Sequence, residues 1–132
     1  GLGVTQSGAR SALEGLGLVF GAPQYDSEGT LFQTGSRDTL VNAILYGPEE
    51  NLTKVEVKVS ATGAGVEAMD NSVYLVGFVK YLFPEWSGGA EWIKNQFAVS
   101  VAGSGAETTY GGANISLSER DTEGNITMMV IR

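Results

Sequence analysis

Apolar and polar residues alternate most sharply at residues 52–61, where Val55, Val57, Val59 and Ala61 are interleaved with Lys54, Glu56, Lys58 and Ser60. A period of two puts the valines on one face and the charges on the other, so the segment predicts a strand with one wet side. Half-solvated strands of this kind belong to antiparallel sheets. Strand-like composition between clusters of Gly, Pro, Asn and Asp also marks residues 30–35, 39–46, 108–110, 113–119 and 125–132. Turns are expected at Asp26-Ser27-Glu28-Gly29, Gly47-Pro48-Glu49-Glu50, Gly111-Gly112 and Asp121-Thr122-Glu123-Gly124.

A helical period appears first at Ala9, Leu13, Leu16 and Phe20, spaced by three and four, which predicts a helix over residues 4–20. Thr5 or Ser7 is placed to cap it, and Gly21 followed by Pro23 to end it. Gly15 and Gly17 weaken such a helix by about 1 kcal/mol each relative to Ala, so packing has to hold it. A second helix is expected over residues 66–83, with Leu75, Val76, Val79, Leu82 and Phe83 facing in, Glu67, Asp70, Asn71 and Lys80 facing out, and Pro84 as its stop. A short third helix after Ser87 carries Trp92, Ile93, Gln96 and Phe97.

These elements add up to an α+β protein: an antiparallel sheet of five or six strands with two or three helices packed on one face. The 132 residues suit a single domain, 1–132. Within it, Asn42-Ala43-Ile44-Leu45-Tyr46, an acidic turn and Asn51-Leu52-Thr53 are echoed by Asn114-Ile115-Ser116-Leu117-Ser118, an acidic turn and Asn125-Ile126-Thr127. Read as pseudo-repeat halves 1–65 and 66–132, the order is helix–strand–strand–strand twice, with an extra helix between. That order resembles, in architecture alone, the tandem helix-on-sheet binding proteins of the beta-lactamase inhibitor protein family. The resemblance implies a binding protein, and it carries no binding residue over to this chain.

Composition narrows the chemistry. Hydrophobic residues at 42% and charged residues at 17% point to a packed core. A net charge of -7 repels phosphate backbones, which argues against nucleic acid as a partner. No apolar run is long enough to predict a membrane span. Histidine and cysteine are both absent, which removes disulfides, zinc-class metal sites and a Ser-His-Asp triad. The 19 glycines form no phosphate-binding or dinucleotide-binding fingerprint. No catalytic residue, metal ligand or cofactor is therefore assigned. Asp26-x-Glu28-Gly29 and the run Glu119, Asp121, Glu123, Gly124 lack the ligand ladder of a calcium loop and read as solvated turn acids. The N-x-[ST] sequons at Asn51, Asn114 and Asn125 sit at strand edges, where turn chemistry alone selects Asn.

Two features remain as binding candidates. Tyr74, Gly77 and Tyr81 fall on one stripe of the second helix away from its main apolar face, with Phe83 and Trp86 close by in sequence. Tyr74, Tyr81 and Trp86, if exposed, are the anchor types of interfaces; the competing expectation is that they line the edge of the core. In the terminal strand, from Asn125 to Arg132, Ile126, Met128 and Val130 alternate with Thr127, Met129 and Ile131, so both faces are apolar. Such a strand is either covered on both sides or part of a homo-oligomer contact.

The leading expectation is a non-catalytic binding module of a secreted or cell-envelope (extracellular or periplasmic) protein. It recognises a protein or other macromolecule through a sheet face or through helix-edge aromatics. Export is suggested by many Gly, Ser, Thr and Asn residues and few lysines. The alternatives are a small-ligand carrier or carboxylate-dependent envelope enzyme with a pocket between helices and sheet, and a structural subunit of an oligomer. A closed apolar pocket of several hundred Å³ would favour the carrier or enzyme.

Overall fold

A computed structural model describes Gly1–Arg132. Along the chain run α1 (Gln6–Gly15), β1 (Val19–Phe20), β2 (Gln24–Tyr25), β3 (Leu31–Arg37), β4 (Val41–Tyr46), β5 (Lys54–Ser60), α2 (Val66–Met69), α3 (Ser72–Leu82), α4 (Gly89–Val101), β6 (Ala106–Tyr110), β7 (Ala113–Leu117) and β8 (Asn125–Ile131). The strands form one antiparallel sheet in the order β1-β3-β4-β5-β8-β7-β6, with β2 also paired to β3. The fold is thus α+β, as the sequence predicts, with eight strands in place of five or six. The two additional strands, β1 and β2, are two residues long, too short to show a period.

The alternation in β5 has the expected cause. Val55, Val57 and Val59 are fully buried beneath the helices, beside Val41, Ala43 and Leu45 of β4 and Ile126, Met128 and Val130 of β8. Full burial of each such side chain favours folding by about 1.5–3 kcal/mol. With Ala113, Ile115 and Leu117 of β7 beside them, the centre of the sheet is one apolar layer four strands wide, and the helices close it from one side with Leu13, Leu75, Phe78, Ile93 and Phe97. The meanders β3-β4-β5 and β6-β7-β8 meet through their last strands, β5 against β8.

The helices depart from the sequence pattern in ways that have local reasons. Thr5 does cap α1, its Oγ1 accepting from the Gly8 N–H at 2.9 Å, but the helix ends at Gly15 and does not continue to Phe20. Gly17 takes φ +97°, a left-handed turn that only glycine adopts freely, and Leu18 N–H closes back onto Leu13 C=O. Phe20 is buried, yet from a strand: it lies opposite Gly35 in β3. The second helix is divided into α2 and α3, and Asn71 at the junction donates to Ser60 C=O at 2.8 Å. Leu75, Val76, Val79 and Leu82 are buried as predicted, whereas Phe83 is half-buried just before Pro84. The third helix is longer than expected, because Ile93, Phe97 and Ser100 keep a helical period through Val101.

One feature of the core leaves no mark in the apolar pattern. Gln6 is fully buried and donates from Nε2 to Gly47 C=O at 2.6 Å and to Leu31 C=O at 3.2 Å. Its Oε1 accepts from Gln33 Nε2 at 2.9 Å, and Gln33 Oε1 accepts from Arg10 Nη1 at 2.9 Å. The chain of bonds pins α1 to the sheet with every amide group partnered, which is the condition for burying such groups without a large penalty.

Candidate functional site

Helices cover one face of the sheet and leave the other bare, so the outward residue of each strand is available. The pairing register arranges these residues in rows. The first row runs Phe32, Tyr46, Lys54, Ile131, Asn114, and the second runs Thr34, Ile44, Glu56, Met129, Ser116. A third, Ser36, Asn42, Lys58, Thr127, is wholly polar. The bare face is therefore graded from aromatic and apolar at one end to polar at the other.

Side-chain contacts hold the first two rows in place. The Phe32 and Tyr46 rings are 6.2 Å apart between centroids, and Lys54 Nζ stands 4.5 Å from the Tyr46 ring centroid. Lys54 also pairs with Glu56 at 3.7 Å. The two charges thus neutralise each other between the apolar groups, with Ile44 and Met129 half-buried and Ile131 44% exposed beside them.

Four surface depressions occur, and no helical residue lines any of them. The largest, about 470 Å³, lies at Ala106, Glu107, Ser116, Thr127 and Met129. One of about 260 Å³ opens between Ser36, Asn42 and Lys58, and one of about 90 Å³ between Ile44, Glu56 and Thr127. The fourth, about 440 Å³, is formed by the β2–β3 and β4–β5 connections at Tyr25, Leu31, Pro48 and Glu49. Three of the four are hollows in the bare face, and none lies between helices and sheet.

Of the two expectations for Tyr74, Tyr81 and Trp86, exposed anchors or the edge of the core, the structure corrects the first and agrees with the second. Tyr74 is 7% exposed, and its hydroxyl accepts from Arg37 Nη1 at 3.0 Å. Tyr81 is half-buried, stacked on Phe78 at 6.0 Å and set over Gly8 of α1 so closely that a Cβ there would lie 2.5 Å from its hydroxyl oxygen. Trp86 is half-buried on the opposite flank, stacked on Tyr110 at 5.0 Å. The physical reason is that α3 packs against α1, α4 and the sheet, so a stripe off its main apolar face still meets neighbours. The structure does not bring the three together.

The terminal strand is central, but it is covered on one face only. β8 lies inside the sheet between β5 and β7, so both its edges are taken. Its second apolar face, Met129 and Ile131, is not covered; it belongs to the bare surface. Phe32, Ile44 and Tyr46 complete that surface, and no sequence signal singles them out: Ile44 stands in a continuous apolar run, and Phe32 and Tyr46 meet only through register.

The turn acids have a structural occupation. Asp26 Oδ1 accepts from the backbone N–H of Glu28 at 2.9 Å and Thr30 at 2.8 Å, and Asp121 Oδ1 accepts in the same way from Glu123 and Asn125, both at 2.9 Å. The shared D-x-E-G sequence thus builds the same turn twice, and no three acids gather into a cluster. No helix is long and apolar enough to cross a membrane. No protein-family model, curated protein or solved structure matches the chain.

Proposed function

We propose that this protein is a non-catalytic binding module that recognises another protein through the bare face of its sheet. The observation that carries the reading is the pair of registered rows from Phe32 to Ile131 and from Ile44 to Met129, apolar groups on a rigid sheet with nothing of this chain above them. A folded chain of this size buries its apolar strands where it can, and apolar groups left uncovered on either side of one ion pair support an interaction surface. Aromatic and Met side chains are enriched in interfaces, and Lys54 and Glu56, already paired, can be covered without an unmatched charge. The seat expected for a carrier or enzyme, between helices and sheet, is filled by side chains of the core, which favours the binding reading. An exported location remains part of the proposal, on composition.

The test is substitution on the face and off it. Ile44→Thr and Met129→Thr keep strand propensity while removing apolar surface. Each should weaken capture of a partner retained by the parent protein by about tenfold or more, the scale of an interface anchor. Lys94→Ser, on the outer side of α4, should leave capture unchanged. Equal retention by all three variants would refute the reading.

A further inference from the structure

The two edges of the sheet are finished differently. Beyond β3 lie only β1 and β2, two residues each on either side of Gly21-Ala22-Pro23, and proline has no N–H to offer a further strand. At the other edge β6 ends the sheet, paired with β7 in unbroken register from Ala106↔Leu117 to Tyr110↔Ala113. It has no Pro, no Lys and no bulge, and Glu107 is its single charged residue.

The β6–β7 turn decides which backbone groups of that edge are free. Gly111 and Gly112 have φ +57° and +81°, a two-residue turn with both centres left-handed, matched to the twist of a hairpin. Tyr110 and Ala113 close it as a hydrogen-bonded pair, and alternation makes Thr108↔Ile115 and Ala106↔Leu117 the next such pairs. Glu107 and Thr109 therefore turn their N–H and C=O groups outward, and no other backbone hydrogen bond of the chain takes them up. Both side chains are exposed on the bare face, while Ala106, Thr108 and Tyr110 are half-buried on the helix side.

We propose that β6 is the edge at which a second copy of this chain pairs, the two β6 strands lying antiparallel about Thr108. In that register Glu107 faces Thr109 of the second copy and Thr109 faces its Glu107, and each pair exchanges two hydrogen bonds. Every outward backbone group of Glu107 and Thr109 is then satisfied. A slide by two residues in one direction sets Glu107 against Glu107, which repels, and in the other leaves Thr109 as the only outward strand pair. Charge and hydrogen bonding thus select one register, and the strand is complementary to itself in it. On the helix side Tyr110, stacked on Trp86, comes beside Ala106 of the second copy, a large group next to a small one. The two bare faces become one continuous surface. This contact runs through an edge of the sheet and not through the apolar face of the terminal strand, and it does not depend on what the bare face binds.

Sedimentation equilibrium over a concentration series tests it. The parent should approach twice its 13.8 kDa as concentration rises. Thr109→Glu sets Glu against Glu107 in both symmetric pairs and should raise the dissociation constant by about tenfold or more. Adding Glu107→Lys to it turns both pairs attractive and should restore the constant to within about threefold of the parent; Thr109→Lys alone should tighten it. Thermal melts of the variants check that each folds, as both side chains are exposed. A parent that stays at 13.8 kDa throughout, a dimer indifferent to Thr109→Glu, or a double variant no tighter than Thr109→Glu would each overturn the proposal.

Discussion

Val57 of β5 lies directly opposite Met128 of β8, both fully buried, at the join between the two meanders. Truncating Val57 to Ala should cost about 1–3 kcal/mol, because the space it leaves is lined by packed strands on both sides. Its neighbour Glu56 points to the bare face, and Glu56→Ala should cost well under about 1 kcal/mol, losing only a partly exposed pair with Lys54. Denaturant melts of the two variants check the assignment of faces, which equal costs would contradict.

Gln6 supplies a second test. Gln6→Leu keeps the volume but strips Gly47 C=O of its donor and leaves Gln33 Nε2 without its acceptor, so a loss of about 2–4 kcal/mol is expected. Gln24→Ala, at an exposed position, should change stability by less than about 0.5 kcal/mol. The same denaturant series reads both.

The tyrosines of α3 should behave as core. Tyr74→Ala should cost about 3 kcal/mol or more, and Tyr74→Phe about 1 kcal/mol for the bond from Arg37. An Ala variant that melts with the parent would put Tyr74 back among surface anchors.

The acidic turns give an outcome of a different kind. Since Asp26 and Asp121 already hold backbone N–H groups, millimolar Ca²⁺ should leave the melting temperature unchanged, while Asp121→Ala should cost about 1–2 kcal/mol. A rise of many degrees with Ca²⁺ would assign the turns a ligand.

Much of the fold is legible in the sequence because the relevant forces are local or periodic. Val55, Val57 and Val59 announce a half-wet strand, and Leu75, Val76, Val79 and Leu82 a helix face, since each faces a single buried layer. The end of the first helix is not legible in its pattern, because Leu16 and Phe20 extend a period of three and four that cannot show whether a residue is buried from a helix or from a strand. Phe20 is buried from β1, after the left-handed turn at Gly17. The candidate surface was only half visible. Met129 and Ile131 show that β8 has a second apolar face, but Phe32, Ile44 and Tyr46 join them through strand register, which one-dimensional spacing does not contain. Spacing alone leaves Tyr74 and Tyr81 open between surface and core, because amphipathic spacing describes one contact face and α3 has neighbours on several.

Site-specific photo-crosslinking in cells that make the protein tests the central claim most directly. A photoreactive residue placed at Ile44 or at Met129, on the bare face, should yield a crosslinked partner, and one placed at Lys80 or Lys94, exposed on the helix side, should not. Crosslinks that arise from the helix positions while Ile44 and Met129 give none would contradict recognition through the sheet.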